Sequence, residues 1–508
     1  MQPWKLLALA IIATLFYQPI IRLIALGLNH QIISNLWNTK TLGITWFTLW
    51  QAAFSTLIAL LLATPSAYAL YRIRFPGSHL IAAAIATPFI LPTIVVAIAL
   101  QAYWHNSSAF AVIVANVFMN YGFATRIIGS AWQGIDNSIE EAAQLDGASE
   151  VKKFFAITRF ELKGAYLSAG FLTFLYCAAN FGLMLVIGGG KLASLETSIY
   201  LSVSEILNLP RAAALVLVQC AITLLALFFI YRTRMAYPFF TGSNRVLPAK
   251  RRDIPAICVS LVIALSLIAA PLCALIMKSL HATTGFGLHN YGNLLTRGAR
   301  ATLSISLGQA GLNSLRNAAI SALIAMVTGL FVASNERSRI LIALYRLPVG
   351  ISSVALGLGY LVTFNAGIFP LRNSWLITPI AQSLLLIPLV IQVVLPAQAA
   401  LNEDFAQLAR TDGLHNLEYW WYIQRPLLKG PIMVALGYVV IVSIGEFGAA
   451  NFLTYGDQAT LPTVLYQLIS RPGALNYGMA MAASSLLIVL VFAITSLIDY
   501  ITREQELV

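Results

Sequence analysis

Apolar and polar positions fall along this chain in blocks, with little residue-by-residue alternation. Twelve apolar runs stand out, each long enough to cross the hydrocarbon core of a bilayer as a helix of about 20 residues. They are Lys5–Leu28, Thr45–Leu70, Leu80–Tyr103, Phe110–Ile128, Ala165–Ile187 and Arg211–Ile230, then Ile254–Met277, Gly311–Ala333, Ile340–Phe364, Trp375–Leu395, Pro431–Leu453 and Gly478–Leu497. The first resembles a signal peptide but is long and lacks a small-residue cleavage site, so it reads as a retained span. Pro88 and Pro92 share the third run and predict a broken or kinked helix. Such a helix is tolerated in lipid where neighbours satisfy the freed carbonyls. Pro348 should disturb the ninth run in the same way.

The polar blocks are short, and one differs from the rest. Between the fourth and fifth runs, Glu140, Glu141, Asp146, Glu150, Lys152 and Lys153 crowd together. Ser138 is placed to cap a helix that Glu141 supports. Ala142, Ala143 and Leu145 continue it, and Gly147 breaks it. A second short helix from Ser149 through Phe155 then presents an aromatic face. Helix, glycine corner and helix form a compact knob suited to docking another protein; the alternative is a solvated loop with helical propensity.

A shift of 266 positions makes the knob recur, because Asp146-Gly147 falls on Asp412-Gly413. Leu162-Lys163-Gly164 falls on Leu428-Lys429-Gly430, and Phe181-Gly182 on Phe447-Gly448. Leu195, Thr197 and Tyr200 meet Leu461, Thr463 and Tyr466, while Ala52, Ser55 and Ile58 meet Ala318, Ser321 and Ile324. One offset across spans and loops indicates a duplicated and fused unit. The first repeat is residues 1–235 with its knob in 134–164. The second is residues 254–508 with its knob in 400–430.

Composition agrees with a membrane protein. Of 508 residues 59% are hydrophobic and only 10% charged, against roughly a quarter charged in soluble chains. The mean hydropathy is +0.80. The fold class is therefore all-α and polytopic, with about twelve transmembrane helices in two tandem six-helix repeats. The net charge of +12 resides in short loops, which excludes a nucleic-acid face and reports topology. Residues 236–253 and their flanks hold Arg232, Arg234, Arg245, Lys250, Arg251 and Arg252. This basic linker belongs in the cytoplasm, as do both termini. Cys177, Cys220, Cys258 and Cys273 are dispersed within apolar runs and point to packing, not to a metal.

Catalytic motifs are missing. Gly188-Gly189-Gly190-Lys191 lacks the first glycine of a phosphate loop, and Leu192 stands where Ser or Thr is required. No nucleophile elbow or His-Glu-x-x-His occurs. There is no strong sign of catalysis and no cofactor site in the chain itself.

Glu141-Ala142-Ala143 followed by Asp146, Gly147 and Ala148 resembles the EAA loop of permease subunits in binding-protein-dependent ABC importers. The second copy is degenerate: Gln407 replaces Glu141, and Ala409, Asp412 and Gly413 remain. Arg159-Phe160 departs from the Leu-Pro common in the family, whereas Pro426 restores that proline in the second copy. The resemblance implies a type I importer permease fold. It implies that each knob docks on a cytoplasmic ABC ATPase through Glu141, Ala142, Ala143, Asp146, Gly147, Ala148 and Phe155, and through Asp412, Gly413 and Tyr422. Two copies of the ATPase, which would bind the ATP, and an extracytoplasmic solute-binding protein are the implied partners, in a bacterial inner membrane. The two contacts should be unequal. Fusion of two permeases, with Leu195-Glu196-Thr197 and Ser443-Ile444-Gly445-Glu446-Phe447-Gly448, is similar to the ferric-iron and thiamine branch.

The translocation path is less defined. Glu446 lies inside the eleventh run, at the repeat position of Asn180. An intramembrane carboxylate is a functional candidate by default; it either attracts a cationic solute or makes an interhelix hydrogen bond. Asn116 and its repeat partner Gln382 either line the path or bond between helices. An ion-coupled secondary transporter with parallel repeats also gives twelve spans, but it needs several buried charges and no repeated knob.

Overall fold

A computed structural model describes residues 11–28, 36–104, 106–136, 142–143, 145–147, 149–232, 247–282, 285–297, 303–335, 339–364, 374–399, 401, 411 and 413–506. The chain forms two compact units, His30–Leu280 and Met1–Asn29 with His281–Val508.

In the first, Asn38 caps α1, Thr39–Arg72, by accepting from the Lys40 amide. Ser108 caps α2, Ala109–Gln133. α3, Lys163–Ala178, packs on both. The seam is made of small side chains, with Ala52, Cys177 and Ala178 fully buried beside Phe174. Lipid gives no hydrophobic drive between helices, so close backbone approach through small residues supplies the attraction. α2 is the central helix, with 83% of its apolar window buried. After Ala178 the helix stops, and α4, Phe181–Ile187, restarts at 53° to α3.

The other unit repeats this plan. α5, Leu307–Asn335, packs on α6, Ile377–Ala399, and both pack on α7, Lys429–Gly445. α8, Gly448–Leu453, follows a second break at Glu446-Phe447.

The third run breaks as expected, and the structure assigns the break to one proline. Helices Ser78–Ile90 and Thr93–Tyr103 meet at 112° across Leu91-Pro92. Leu91 is extended (φ −70°, ψ 146°), the conformation that a following proline imposes. Pro88 sits inside the first of these helices and does not end it. The ninth run, expected as Ile340–Phe364, is also broken: Arg339–Arg346, a 3-10 turn Leu347–Gly350 containing Pro348, then Ser353–Phe364. The breaks within the fifth and eleventh runs were not anticipated, because Asn180 and Glu446 carry no helix-breaking signature as strong as proline.

Among the described residues, seven helices are long and apolar enough to cross a membrane, or ten when each bent pair counts as one span. Two of the twelve expected spans are shorter than that among the described residues, namely Ala13–Gly27 and Ser353–Phe364.

The compact units do not coincide with the sequence repeats 1–235 and 254–508. The opening span of each repeat packs in the unit that holds most of the other repeat. Gln18–Gly27 lies on Ser353–Phe364, and Ala270–Ser279 lies on Thr93–Tyr103. Gly359 permits the first contact, since a Cβ there would stand 3.2 Å from Pro19. The reason is coverage. The half-helix after the break is apolar on every side, with Ile94, Val95, Val96, Ala97, Ile98 and Ala99 fully buried, and segments of both repeats share in covering it.

Two small β-pairings complete the fold. β1, Ile73–Arg74, pairs in parallel with β2, Leu247–Pro248, and β3, His281–Ala282, pairs antiparallel with β4, Gly285–Phe286.

Candidate coupling and translocation sites

The four residues singled out for the path come together as two pairs, one in each unit, at the breaks after α3 and α7. In the first unit Asn180 caps α4, its Oδ1 accepting from the Leu183 amide at 3.4 Å. Its Nδ2 donates to Asn116 Oδ1 at 3.3 Å. Asn116 in turn donates to Gln51 Oε1 at 2.7 Å, and Gln51 donates to the Cys177 carbonyl at 3.2 Å. This chain of amides ties α1, α2, α3 and α4 together at the point where a span loses its backbone ladder. The crevice lined by Gln51, Asn116, Cys177, Asn180 and Ser194 has no water-sized space. Asn116 and Asn180 are therefore bonded between helices within a closed seam.

In the second unit the same two slots hold Gln382 and Glu446. Glu446 Oε1 accepts from the Ala449 amide at 2.8 Å and Oε2 from the Ala450 amide at 3.0 Å. The carboxylate thus occupies the N-terminus of α8, where unsatisfied N–H groups favour a negative charge. Gln382 Nε2 reaches Oε2 at 3.5 Å, while Gln382 Oε1 accepts from Ser321 at 3.1 Å and Ser443 at 3.0 Å. Glu446 is only half-buried, unlike Asn180 and Gln382, so it retains an accessible surface.

Sequence reasoning missed the partners Gln51, Ser321, Ser443 and Cys177. The repeat carried a signal for them. Ser55 and Ser321 share one slot, and Cys177 aligns with Ser443. A second repeated device lies beside the network: Thr48 Oγ1 accepts from the Leu195 amide at 3.0 Å, and Ser314 Oγ accepts from the Leu461 amide at 2.8 Å. Ser194 with Thr197, and Thr460 with Thr463, form matching capping boxes.

The knobs are also paired. Gly147 has φ +75° and Gly413 φ +76°, and a Cβ at either position would meet nothing within 4 Å. Glycine is required there by backbone conformation and not by space. Ala142 and Ala143 are helical, the Asp146 amide closes that turn on the Ala142 carbonyl at 3.1 Å, and Leu145 is 89% exposed. Beyond the corner each knob carries the same irregularity, a π-turn at Phe154–Thr158 and at Trp420–Gln424. Single π-turns inside helices are uncommon and concentrate at functional places.

Phe154 anchors the first knob against Trp132, which packs on Tyr68. Phe155 stays exposed with Arg159 above its ring. In the second knob Arg425 lies 4.2 Å above the ring of Trp421, and Tyr422 is 69% exposed. Leu162 and Leu428, both buried, end the knobs where the spans begin. The second knob meets its span at 67°. Glu141, Ala148, Asp412 and Gln407 lie outside the described residues.

Comparison with known proteins bears on the whole chain. Residues 312–506 match the profile of the binding-protein-dependent transport system inner membrane component. The chain is 26% identical over 487 residues to the thiamine transport system permease protein ThiP of Brucella abortus (strain 2308), covering 89% of this chain and 86% of that protein. It is 25% identical over 473 residues to ThiP of Escherichia coli (strain K12), covering 85% and 84%. A probable ABC transporter permease protein, y4fN of Sinorhizobium fredii, is 22% identical over 507 residues, covering 91% and 87%. Matches of this length span both repeats. Residues 312–506 thus match the inner membrane component of binding-protein-dependent transport systems, and along most of its length the chain is similar to permeases described as thiamine transporters.

Proposed function

We propose that this permease carries thiamine across the bacterial inner membrane, receiving it from an extracytoplasmic binding protein. The observation that supports this reading is the similarity, along most of the chain, to proteins described as thiamine permeases. The two knobs are the docking points for two copies of a cytoplasmic ATPase, which binds and hydrolyses the ATP. Both termini and the basic linker 236–253 face the cytoplasm.

In this reading each knob acts as a stiff lever. The left-handed glycine fixes its corner, and the buried leucine at its end passes movement into the bent span. The breaks at Asn180 and Glu446 are where α3 and α7 give way, and the amide pairs hold the freed backbone as they do so. Glu446, half-buried, meets the thiazolium cation of the solute on its accessible side, while Asn116, Asn180 and Gln382 hold the breaks in shape.

Uptake of radiolabelled thiamine and of radiolabelled ferric iron, in cells with and without the gene, tests the reading. Loss of thiamine uptake alone is expected. Loss of iron uptake alone would overturn the choice of solute and leave the importer class standing.

A further inference from the structure

We propose that the basic corner formed by Arg74, Lys250, Arg251 and Arg252 is a binding site for the phosphate headgroup of an anionic phospholipid. The corner lies within the unit His30–Leu280 and is assembled by the pairing of β1 with β2. Ile73 faces Leu247 and Arg74 faces Pro248, and the Ala249 amide donates to the Arg74 carbonyl at 3.3 Å. This brings the end of α1 beside the start of the 30-residue helix Arg251–Leu280.

Two neighbouring charges are already committed to structure. Arg72 is buried and donates to the Ile135 carbonyl at 3.2 Å. Asp253 is buried, accepting from the Tyr68 hydroxyl at 3.0 Å and from the Lys250 amide at 2.8 Å. Asp253 also lies 3.8 Å from Arg252. Arg74, Lys250 and Arg251 are exposed. Among the described residues none of the three has a carboxylate within ion-pair distance. Three cations held by backbone bonds at one corner create a local positive field that the single buried aspartate does not cancel.

The surroundings select a lipid over an acidic protein surface. The helix that starts at Arg251 has mean hydropathy 2.6, and only 33% of its apolar window is buried. Ile254, one turn from Arg251, is 52% exposed, and Leu80, just past the Phe75–Gly77 turn, is 78% exposed. Exposed cationic side chains are thus followed along the chain by exposed aliphatic ones, a combination that suits an anionic headgroup with its acyl chains. Basic clusters at the water boundary of a span attract anionic lipid in this way. The other repeat does not reproduce the corner, since Ile340 stands at the position of Arg74.

The test is titration of the purified full chain in neutral detergent with phosphatidylglycerol, read by native mass spectrometry. Phosphatidylcholine and inorganic phosphate are run alongside. Wild type should retain phosphatidylglycerol in preference to phosphatidylcholine. The combined Arg74→Ala, Lys250→Ala, Arg251→Ala variant should bind it on the order of a hundredfold more weakly, at roughly fivefold for each basic side chain. Lys40→Ala, at an exposed site elsewhere, should bind as wild type does. Equal binding by the triple variant, or equal retention of phosphatidylcholine by wild type, would overturn the site. Displacement of the lipid by inorganic phosphate alone would show a free-phosphate site and overturn the lipid assignment. The triple variant leaves Arg72 and Asp253 intact, and an unchanged thermal midpoint in detergent separates lost binding from lost folding.

Discussion

At the break that follows α3 one unit carries Asn180; at the same position after α7 the other carries Glu446. Both side chains cap the short helix that follows, and both bond to the same slot on the central helix, filled by Asn116 or Gln382. The capping task is common and the charge is not. An amide suffices to hold a helix start, so the carboxylate in one unit alone is an addition to the shared scaffold. The knobs show the same relation. Their glycine corners and π-turns fall at the same repeat positions, whereas their exposed faces differ: Leu145 and Phe155 on one, Trp421 and Tyr422 on the other. Duplication preserved the mechanics and let the chemistry diverge.

The sharpest way to break this comparison is at the corners. Proline holds φ near −65°, which is incompatible with φ +75° at Gly147 and +76° at Gly413. Gly147→Pro should abolish uptake of the proposed solute while the chain still inserts, with ATP hydrolysis by the assembled transporter no longer linked to transport. Gly413→Pro should do the same, because the corner geometry is shared. Normal uptake by either variant would show that the lever is dispensable.

A smaller effect is expected from making the two breaks alike. Glu446→Asn reproduces the Asn180 cap and removes only the charge. Uptake should fall by about tenfold, since opposite charges about 4 Å apart attract by roughly 1–4 kcal/mol between bulk water and a protein surface, while the thermal midpoint changes little. If uptake is unchanged and the midpoint falls, the carboxylate is a cap and nothing more.

The smallest effect compares the central slots. Asn116→Leu strands Gln51 Oε1 and leaves Asn180 Nδ2 only Met119 Sδ; Gln382→Leu strands the Ser443 hydroxyl and removes one contact each of Ser321 and Glu446. Interhelix hydrogen bonds in membranes average about 0.6 kcal/mol with a maximum near 1.7. Both variants should therefore unfold at modestly lower temperature in detergent, and Gln382→Leu by more. Equal losses would show that the charge at Glu446 adds nothing to its unit.

The multi-pass, all-helical class and the duplication were legible in the sequence, for physical reasons. A helix in lipid must be apolar over its whole circumference, so the runs announce themselves by length alone. Identical side chains at one offset require no folding to be seen, and they marked Gly147 and Gly413 as one corner before any geometry was known. Pro92 announced its break because a missing N–H and a restricted preceding residue are local effects. Asn180 and Glu446 did not, because an amide or carboxylate ends a helix only when its side chain turns back to accept the next amides, and that depends on the neighbours Asn116 and Gln382. The exchange of the opening spans was equally invisible. Gln18–Gly27 and Ala270–Ser279 are apolar enough to pack anywhere. What placed them was the need to cover the half-helices Ser353–Phe364 and Thr93–Tyr103, a demand that exists only after the third and ninth runs have broken. Hydrophobicity assigned each segment to the membrane, and tertiary packing decided which segment covers which.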